Sequence, residues 1–297
     1  ISTQYFNTYI ALSLMTTTPE AYVHLGTDET TLTFYYDTLR ADRNGITREI
    51  GAWTWNFGSS TVLTAVFDAS FRDFRPTTTA DLFHSIKSLK SIEGLEYLNT
   101  SQVTDMGGMF LGCESLAALD LSSFDTSKVT NMYRMFYGCK SLTSLDLSSL
   151  DTSQVTGMYS MFNDCQSLTE IRGLDNLNTS EVTRMSRMFA GCSALRSLDV
   201  SRFDTSQVTG MSSMFSGCES LTELDLYFFD TAKVTDMHAM FKDCKSLTTL
   251  DLSNFQTSEV KNMSDMFSGC SALTTILSFA FRNCFASDAM FYECTSL

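Results

Sequence analysis

The sequence predicts an α/β solenoid: a leucine-rich-repeat arc with a parallel β-sheet on one face, short helices on the other and a small β-rich N-terminal cap. Three observations predict it. Cysteines recur at 113, 139, 165, 192, 218, 244 and 270, in steps of 26 residues with one step of 27. The dipeptide Met-Phe recurs in phase, at 109, 135, 161, 188, 214, 240, 266 and 290. Between these marks each unit carries an LxxLxL run and an Asp-Thr-Ser triplet, as in residues 142–153. A period of this length signals stacked repeats, because one such unit cannot bury its apolar side alone.

Residues 1–60 lack the repeat. Alternation over residues 21–25 and 30–36, around Gly26-Thr27-Asp28-Glu29, predicts a hairpin. Trp53 and Trp55, two residues apart, mark one face of a further strand. This β-rich segment is the expected cover for the first coil. The solenoid itself is expected over residues 61–297, with about eight to nine repeats. Residues 63–71 align with 142–150, and Leu82-Phe83 with Leu89 fill the Met-Phe and Leu slots one period upstream of Met109-Phe110 and Leu116. Residues 279–294 form a shortened copy in which Cys284 takes the slot otherwise held by valine. A start at Ile1 rather than Met fits removal of an upstream segment, and a stop in mid-unit at Leu297 implies a longer parent protein.

Within one unit, Leu142, Leu145 and Leu147 point inward from a short strand. Asp151-Thr152-Ser153 is turn chemistry, since Asp and Ser side chains accept from nearby backbone N–H groups. Thr156 suits a helix N-cap. Met158, Met161 and Phe162, at i, i+3 and i+4, fall on one face of a predicted short helix. The helix is expected to stop at Asp164, where other copies place Gly138, Gly191, Gly217 or Gly269, the residues a left-handed C-terminal cap accepts.

Composition narrows the function. The chain is 43% hydrophobic and 18% charged, which is the profile of a folded protein, and its net charge of −14 excludes nucleic acid as a partner. No apolar run reaches the length of a membrane-spanning helix. A partner steered by charge would be cationic, or held through a metal ion.

The seven in-phase cysteines share one slot, three residues before a core leucine. A slot repeated in every coil forms a ladder of small buried groups, a role that suits free thiols. Disulfides between coils, or soft-metal binding with the sixteen methionines, are the alternatives. No CxxC or CxxH spacing of a zinc site occurs. His24, His84 and His238 fall in separate segments, and no nucleophile stands with a base and an orienting group. A non-catalytic protein without cofactor or metal is expected.

The triplet aspartates Asp125, Asp151, Asp204 and Asp230 are replaced by Asn99, Asn178 and Gln256 in other copies, which points to backbone capping rather than charge. A second acidic set stands between the inward leucines of the LxL strand: Asp120, Asp146, Asp199, Asp225 and Asp251. These face outward, and neighbouring coils there should lie about 5 Å apart. Either they only keep the strand side soluble, or they form a binding stripe together with Arg172, Arg196 and Tyr227.

The unit LDLSSFDTSKVTNMYRMFYGCKSL, residues 119–142, resembles the repeats of BspA-like leucine-rich-repeat surface proteins of bacteria. The lead-ins TLTFYYDTLRADRNG, residues 31–45, and VFDASFRDFRPTTT, residues 66–79, are similar to the segments that precede the repeats in that family. The resemblance implies an exported, cell-surface or extracellular protein that acts in adhesion through a protein or glycan ligand. A structural spacer that displays another domain is the alternative. A lattice binder such as an ice-binding solenoid would need a flat, uncharged threonine face, and the acidic stripe argues against it.

Overall fold

A computed structural model describes residues 18–49, 61–278 and 286–297. Trp53, Trp55 and the slot of Cys284 lie outside the described residues. The expected hairpin is present: β1 (Glu20–Leu25) pairs antiparallel with β2 (Thr31–Asp37), in a register that sets Val23 opposite Phe34. Asp28 closes the turn by accepting from the N–H groups of Thr30 and Thr31. β3 (Ile46–Glu49) adds to the other edge of β1. β2 then pairs in parallel with β4 (Thr64–Phe67), and β4 with β5 (Ser91–Glu93), giving one sheet in the order β3-β1-β2-β4-β5. The cover and the first coils thus share a sheet across residue 60. Phe34 seals the contact by stacking on Phe67 at 4.5 Å and meeting Phe83 edge-on.

From there the coils stack one repeat apart, and the inward slots are filled as the periodicity predicts. Val129, Met132, Met135, Phe136, Cys139 and Leu142 are fully buried, as are their counterparts one coil on, Val155, Met158, Met161, Phe162, Cys165 and Leu168. The phenylalanines form a continuous column through Phe83, Phe110, Phe136, Phe162, Phe189, Phe215, Phe241, Phe267 and Phe291. Consecutive rings lie 5.4–5.9 Å apart and within 10° of parallel.

The predicted helices are corrected. Among the described residues there is no α-helix, and each Met-Phe segment is a run of overlapping turns. The backbone hydrogen bonds give the reason. Met132, Arg134, Phe136 and Gly138 donate to Gly157, Tyr159, Met161 and Asn163 of the next coil. The intervening Met135, Tyr137 and Cys139 donate three residues back, to Met132, Arg134 and Phe136. Alternate N–H groups are therefore spent between coils and cannot close an i→i−4 helical ladder. This pattern needs two left-handed residues per coil. Gly138 (φ 71°) and its equivalent Asp164 (φ 59°) sit where the sequence places a left-handed cap, and Arg134 (φ 53°) and Ser160 (φ 54°) are the second set. Thr156 is not an N-cap, because its N–H and its hydroxyl both donate to the Thr130 carbonyl of the preceding coil.

The predicted sheet of LxL strands is also corrected. Beyond β4 and β5, strand pairing at this position among the described residues is confined to β6 (Ser144–Asp146) with β7 (Glu170–Arg172) and β8 (Thr249–Asp251) with β9 (Thr275–Leu277). The unbroken ladder lies instead at the entry to the Met-Phe turns. There parallel bridges link Thr78, Asp105, Asn131, Gly157, Arg184, Gly210, Asp236, Asn262 and Ala286 in succession.

The thiols complete the interior. Cys113, Cys139, Cys165, Cys192, Cys218, Cys244 and Cys270 are free and buried. Each S–H donates to the carbonyl of a column phenylalanine one coil back, as Cys165 does to Phe136 at 3.1 Å. Burial pushes the Cys139 and Cys218 thiols up to about 12, which keeps them protonated.

Candidate ligand-binding surface

The Asp-Thr-Ser triplets build the turn that follows each LxL run. Asp125 accepts from the Ser127 N–H and hydroxyl, Asp151 from the Ser153 N–H, Asp204 from Ser206 and Asp230 from Ala232. Asn99 and Asn178 accept in the same way through their amide oxygens. The threonine does more than its turn preference suggests. Thr126 is buried, its hydroxyl donates to the Asp151 carbonyl at 2.8 Å, and it accepts the Asp151 N–H at 2.8 Å. One hydroxyl thereby satisfies both backbone groups of the neighbouring coil.

The second acidic set stands on the exposed side. Asp120, Asp146, Asp199, Asp225 and Asp251 are all solvent-exposed. Each also caps a turn, accepting from the N–H two residues on: Ser122, Ser148, Ser201, Tyr227 and Ser253, at 2.9–3.1 Å. Hydrogen bonds from Ser122 hold the Asp120 carboxyl below its ordinary range, although Asp146 opposes this. Bonds from Ser148, helped by Arg172, do the same for Asp146, and those from Ser201 and Ser253 for Asp199 and Asp251. The repulsion along the row is thus offset locally by N–H and O–H dipoles aimed at each carboxylate.

Arg172 lies in register with Asp146 across β6 and β7, and its nearest carboxylate is Glu170 at 2.9 Å. It interrupts the row where Gly173 (φ 69°) follows. A Cβ at Gly173 would sit 2.5 Å from the Ser148 N, so this tight approach requires glycine. Arg196 is exposed in the coil of Asp199. A groove of about 520 Å³ opens beside Asp120, lined by Lys90, Ile92, Glu96 and Leu119.

Tyr227 is 62% exposed, and the adjoining Phe228, which the sequence reading missed, is 64% exposed. Their rings meet edge to face at 5.0 Å. Other repeats hold Ser122-Ser123, Ser148-Ser149, Ser201-Arg202 and Ser253-Asn254 in these two slots, so an aromatic pair there departs from the repeat. That departure was the available signal. Asn254 braces the pair by donating to the Tyr227 carbonyl at 2.6 Å.

The histidines are separate from this face and from each other. His24 bonds to the Asn44 carbonyl, His84 stands 3.7 Å from Asp81, and His238 bonds to the Ser264 carbonyl. Among the described residues no group of three or more His, Cys, Asp or Glu could hold a metal ion. No helix among them is long and apolar enough to cross a membrane.

Solved structures similar to this chain include bacterial leucine-rich-repeat proteins. One from T. pallidum shares 17% identity over 93% of this chain and 86% of its own, with a TM-score of 0.42. One from Bacteroides ovatus shares 16% over 93% and 79%, with a TM-score of 0.43. A leucine-rich cell surface protein of Faecalibacterium prausnitzii shares 14% over 94% and 92%, with a TM-score of 0.34. No curated protein matches the sequence. One family model does, over residues 77–198 and again over 183–297, so that it spans well over half of the 297 residues. The chain belongs to the family described as Mycoplasma protein of unknown function, DUF285.

Proposed function

We propose that this is a non-catalytic, exported surface protein of the BspA-like kind, which binds a cationic protein partner through the LxL side of its coils. The observation that carries the reading is the exposed pair Tyr227 and Phe228, set in a row of carboxylates. Two large rings held in water at a position where other coils hold serine serve no purpose in packing, and aromatic anchors of this type dominate binding energy at interfaces. Asp199, Asp225 and Asp251 surround the pair with negative charge, and Asp120, Asp146, Arg172 and Arg196 extend the surface toward the N-terminal coils. Such a field speeds encounter with a basic partner and weakens as salt is raised.

The test is an array of surface and matrix proteins and glycans, probed with the intact chain, with a Tyr227→Ser/Phe228→Ser variant and with an Asp199→Asn/Asp225→Asn/Asp251→Asn variant. Asparagine accepts the same turn N–H, as Asn99 and Asn178 do, so the fold is expected to persist and circular dichroism checks it. Hits on basic proteins that vanish with the serine variant and lose salt dependence with the asparagine variant support the reading. Hits that both variants retain remove this face from the mechanism and move binding to another surface, whereas no hits at all favour a spacer role.

A further inference from the structure

Half a repeat away along the chain, at the Met-Phe turns, a second surface departs from the repeat. Three slots there vary between small and large residues, and large ones recur in three successive coils. The first runs Gly107, Tyr133, Tyr159, Ser186, Ser212; the second Gly108, Arg134, Ser160, Arg187, Ser213; the third Leu111, Tyr137, Asn163, Ala190, Ser216. The five large departures, Tyr133, Arg134, Tyr137, Tyr159 and Arg187, line one open groove of about 390 Å³, with His84 and Asp81 at its end. The Arg134 guanidinium lies 5.5 Å from the Tyr159 ring centre, and Arg187 donates to the Tyr159 hydroxyl at 3.4 Å. Among the described residues neither arginine has a carboxylate partner, in a chain with 34 acidic and 20 basic residues. Burial opposes ionisation of the Tyr159 phenol, but the guanidiniums of Arg134 and Arg187 bring it below its ordinary range.

We infer that this groove binds an acidic saccharide, a uronic or sialic acid residue of a glycan. Two guanidiniums left without carboxylates, one near the Tyr159 ring and one at its hydroxyl, each offer a forked donor to a planar carboxylate. Three half-buried tyrosines offer flat apolar faces, each with a hydroxyl at its rim, and these match the apolar face and hydroxyl edge of a pyranose. Asp81 and His84 supply an acceptor and a donor for further hydroxyls. The groove is open along its length, so it suits one residue of a longer chain. Its volume falls at the small end of ligand sites, which run to about 300–1,000 Å³. The field of the whole protein repels anions, so affinity must come from these local contacts. This site does not depend on the Tyr227–Phe228 face.

The experiment is saturation-transfer NMR with titration of the intact chain by sialyllactose, a glucuronate-containing tetrasaccharide, lactose and a tyrosine-sulfated peptide. The comparison variant is Arg134→Ser/Arg187→Ser, because serine already fills this left-handed slot at Ser160 and Ser213. Arg187→Ser alone, at an exposed position, serves if the double change unfolds the chain. The acidic saccharides are expected to bind with transfer to tyrosine-proximal protons, lactose at least about tenfold more weakly, and the variant at least about tenfold more weakly than the parent. Equal affinity for lactose, equal affinity in the variant, or no binding of either acidic saccharide at millimolar concentration overturns the inference. Binding of the sulfated peptide alone also overturns it, since the groove would then recognise an acidic peptide.

Discussion

Truncation of Phe162 to alanine tests whether the phenylalanine column holds the coils together. Phe162 is fully buried, with Phe136 at 5.5 Å and 8° on one side and Phe189 at 5.5 Å and 7° on the other. Removal of a buried phenylalanine costs about 3–5 kcal/mol through lost transfer energy and the residual cavity. Each aromatic pair adds about 0.5–1.5 kcal/mol beyond area. With two faces lost and a rigid column unable to collapse, the expected cost lies near the top, about 5 kcal/mol. Phe291, by contrast, is 40% exposed and stacks on Phe267 at 5.4 Å. Phe291→Ala should cost about 1–2 kcal/mol, a partial share of the burial energy of one ring. Phe162→Leu keeps most of the volume and loses the stacking, so about 1–2 kcal/mol is expected. Urea unfolding followed by circular dichroism measures all three. Because each repeat leans only on its neighbours, the central change should also broaden the transition. A loss below about 1 kcal/mol at Phe162, or equal losses at Phe162 and Phe291, would refute the column as a source of stability.

Four further outcomes are expected. Thr126→Val removes a hydroxyl that both donates to and accepts from Asp151, so denaturant melts should show a loss of about 1–3 kcal/mol, whereas Thr126→Ser should be nearly neutral. Ser213, at φ 54°, occupies the slot that Gly108 fills at φ 62°, so Ser213→Gly should raise stability by about 0.5–1 kcal/mol and Ser213→Val should lower it. The seven ladder thiols should resist a thiol reagent in the native protein and react once it is denatured without reductant; absence of reaction then would mean disulfides. The same thiols set an alkaline limit. Cys139 and Cys218 ionise near 9.0 when unfolded and only at about 12 when buried, so the unfolded chain sheds protons first. Their contribution is complete below pH 9.0 and is lost as pH rises toward 12, which a melting series across that window would show as a steady fall.

The inward slots were legible because burial imposes a period, and that period survives in sequence whatever the backbone does. Met158, Met161, Phe162 and Cys165 all lie inside, as their spacing required. The same spacing could not distinguish a helix from a stack of turns. Intervals of three and four identify which side chains share a face, but they do not reveal whether the N–H of Phe136 chooses the carbonyl four residues back or that of Met161 in the next coil. The capping role of Asp151 was legible because Asn99 and Asn178 substitute for it, whereas that of Asp146 was hidden by its place between two leucines, which looks like strand alternation. The Tyr159 groove was invisible for another reason. Its arginines come from Arg134 and Arg187, on coils to either side, and only the stacking register brings them to one ring.

Regularity of this degree gives the outward slots an interpretive value that they lack in an irregular fold. Every coil must present the same volume to the coil before it and the coil after it, so a mismatch at Val155, Met158 or Phe162 would be felt on both sides. Outward slots carry no such constraint, and the repeat fills them with serine, threonine and small residues by default. A large side chain there has no packing reason to exist. It also carries a solubility cost, which is greatest for Phe228 and Tyr227 on the LxL side. Two clusters stand out among the departures: Tyr227 and Phe228 in one coil, and Tyr133, Arg134, Tyr137, Tyr159 and Arg187 across three successive coils. Two such clusters, one aromatic within a row of carboxylates and one aromatic with unpaired guanidiniums, differ in the sign of the charge they favour. A single ligand cannot satisfy both by charge, and the two clusters lie on different coils as well as on different sides of the repeat. If both proposals hold, a basic protein and an acidic saccharide should bind together without competition, and competition in a binding assay with both present would refute the pair.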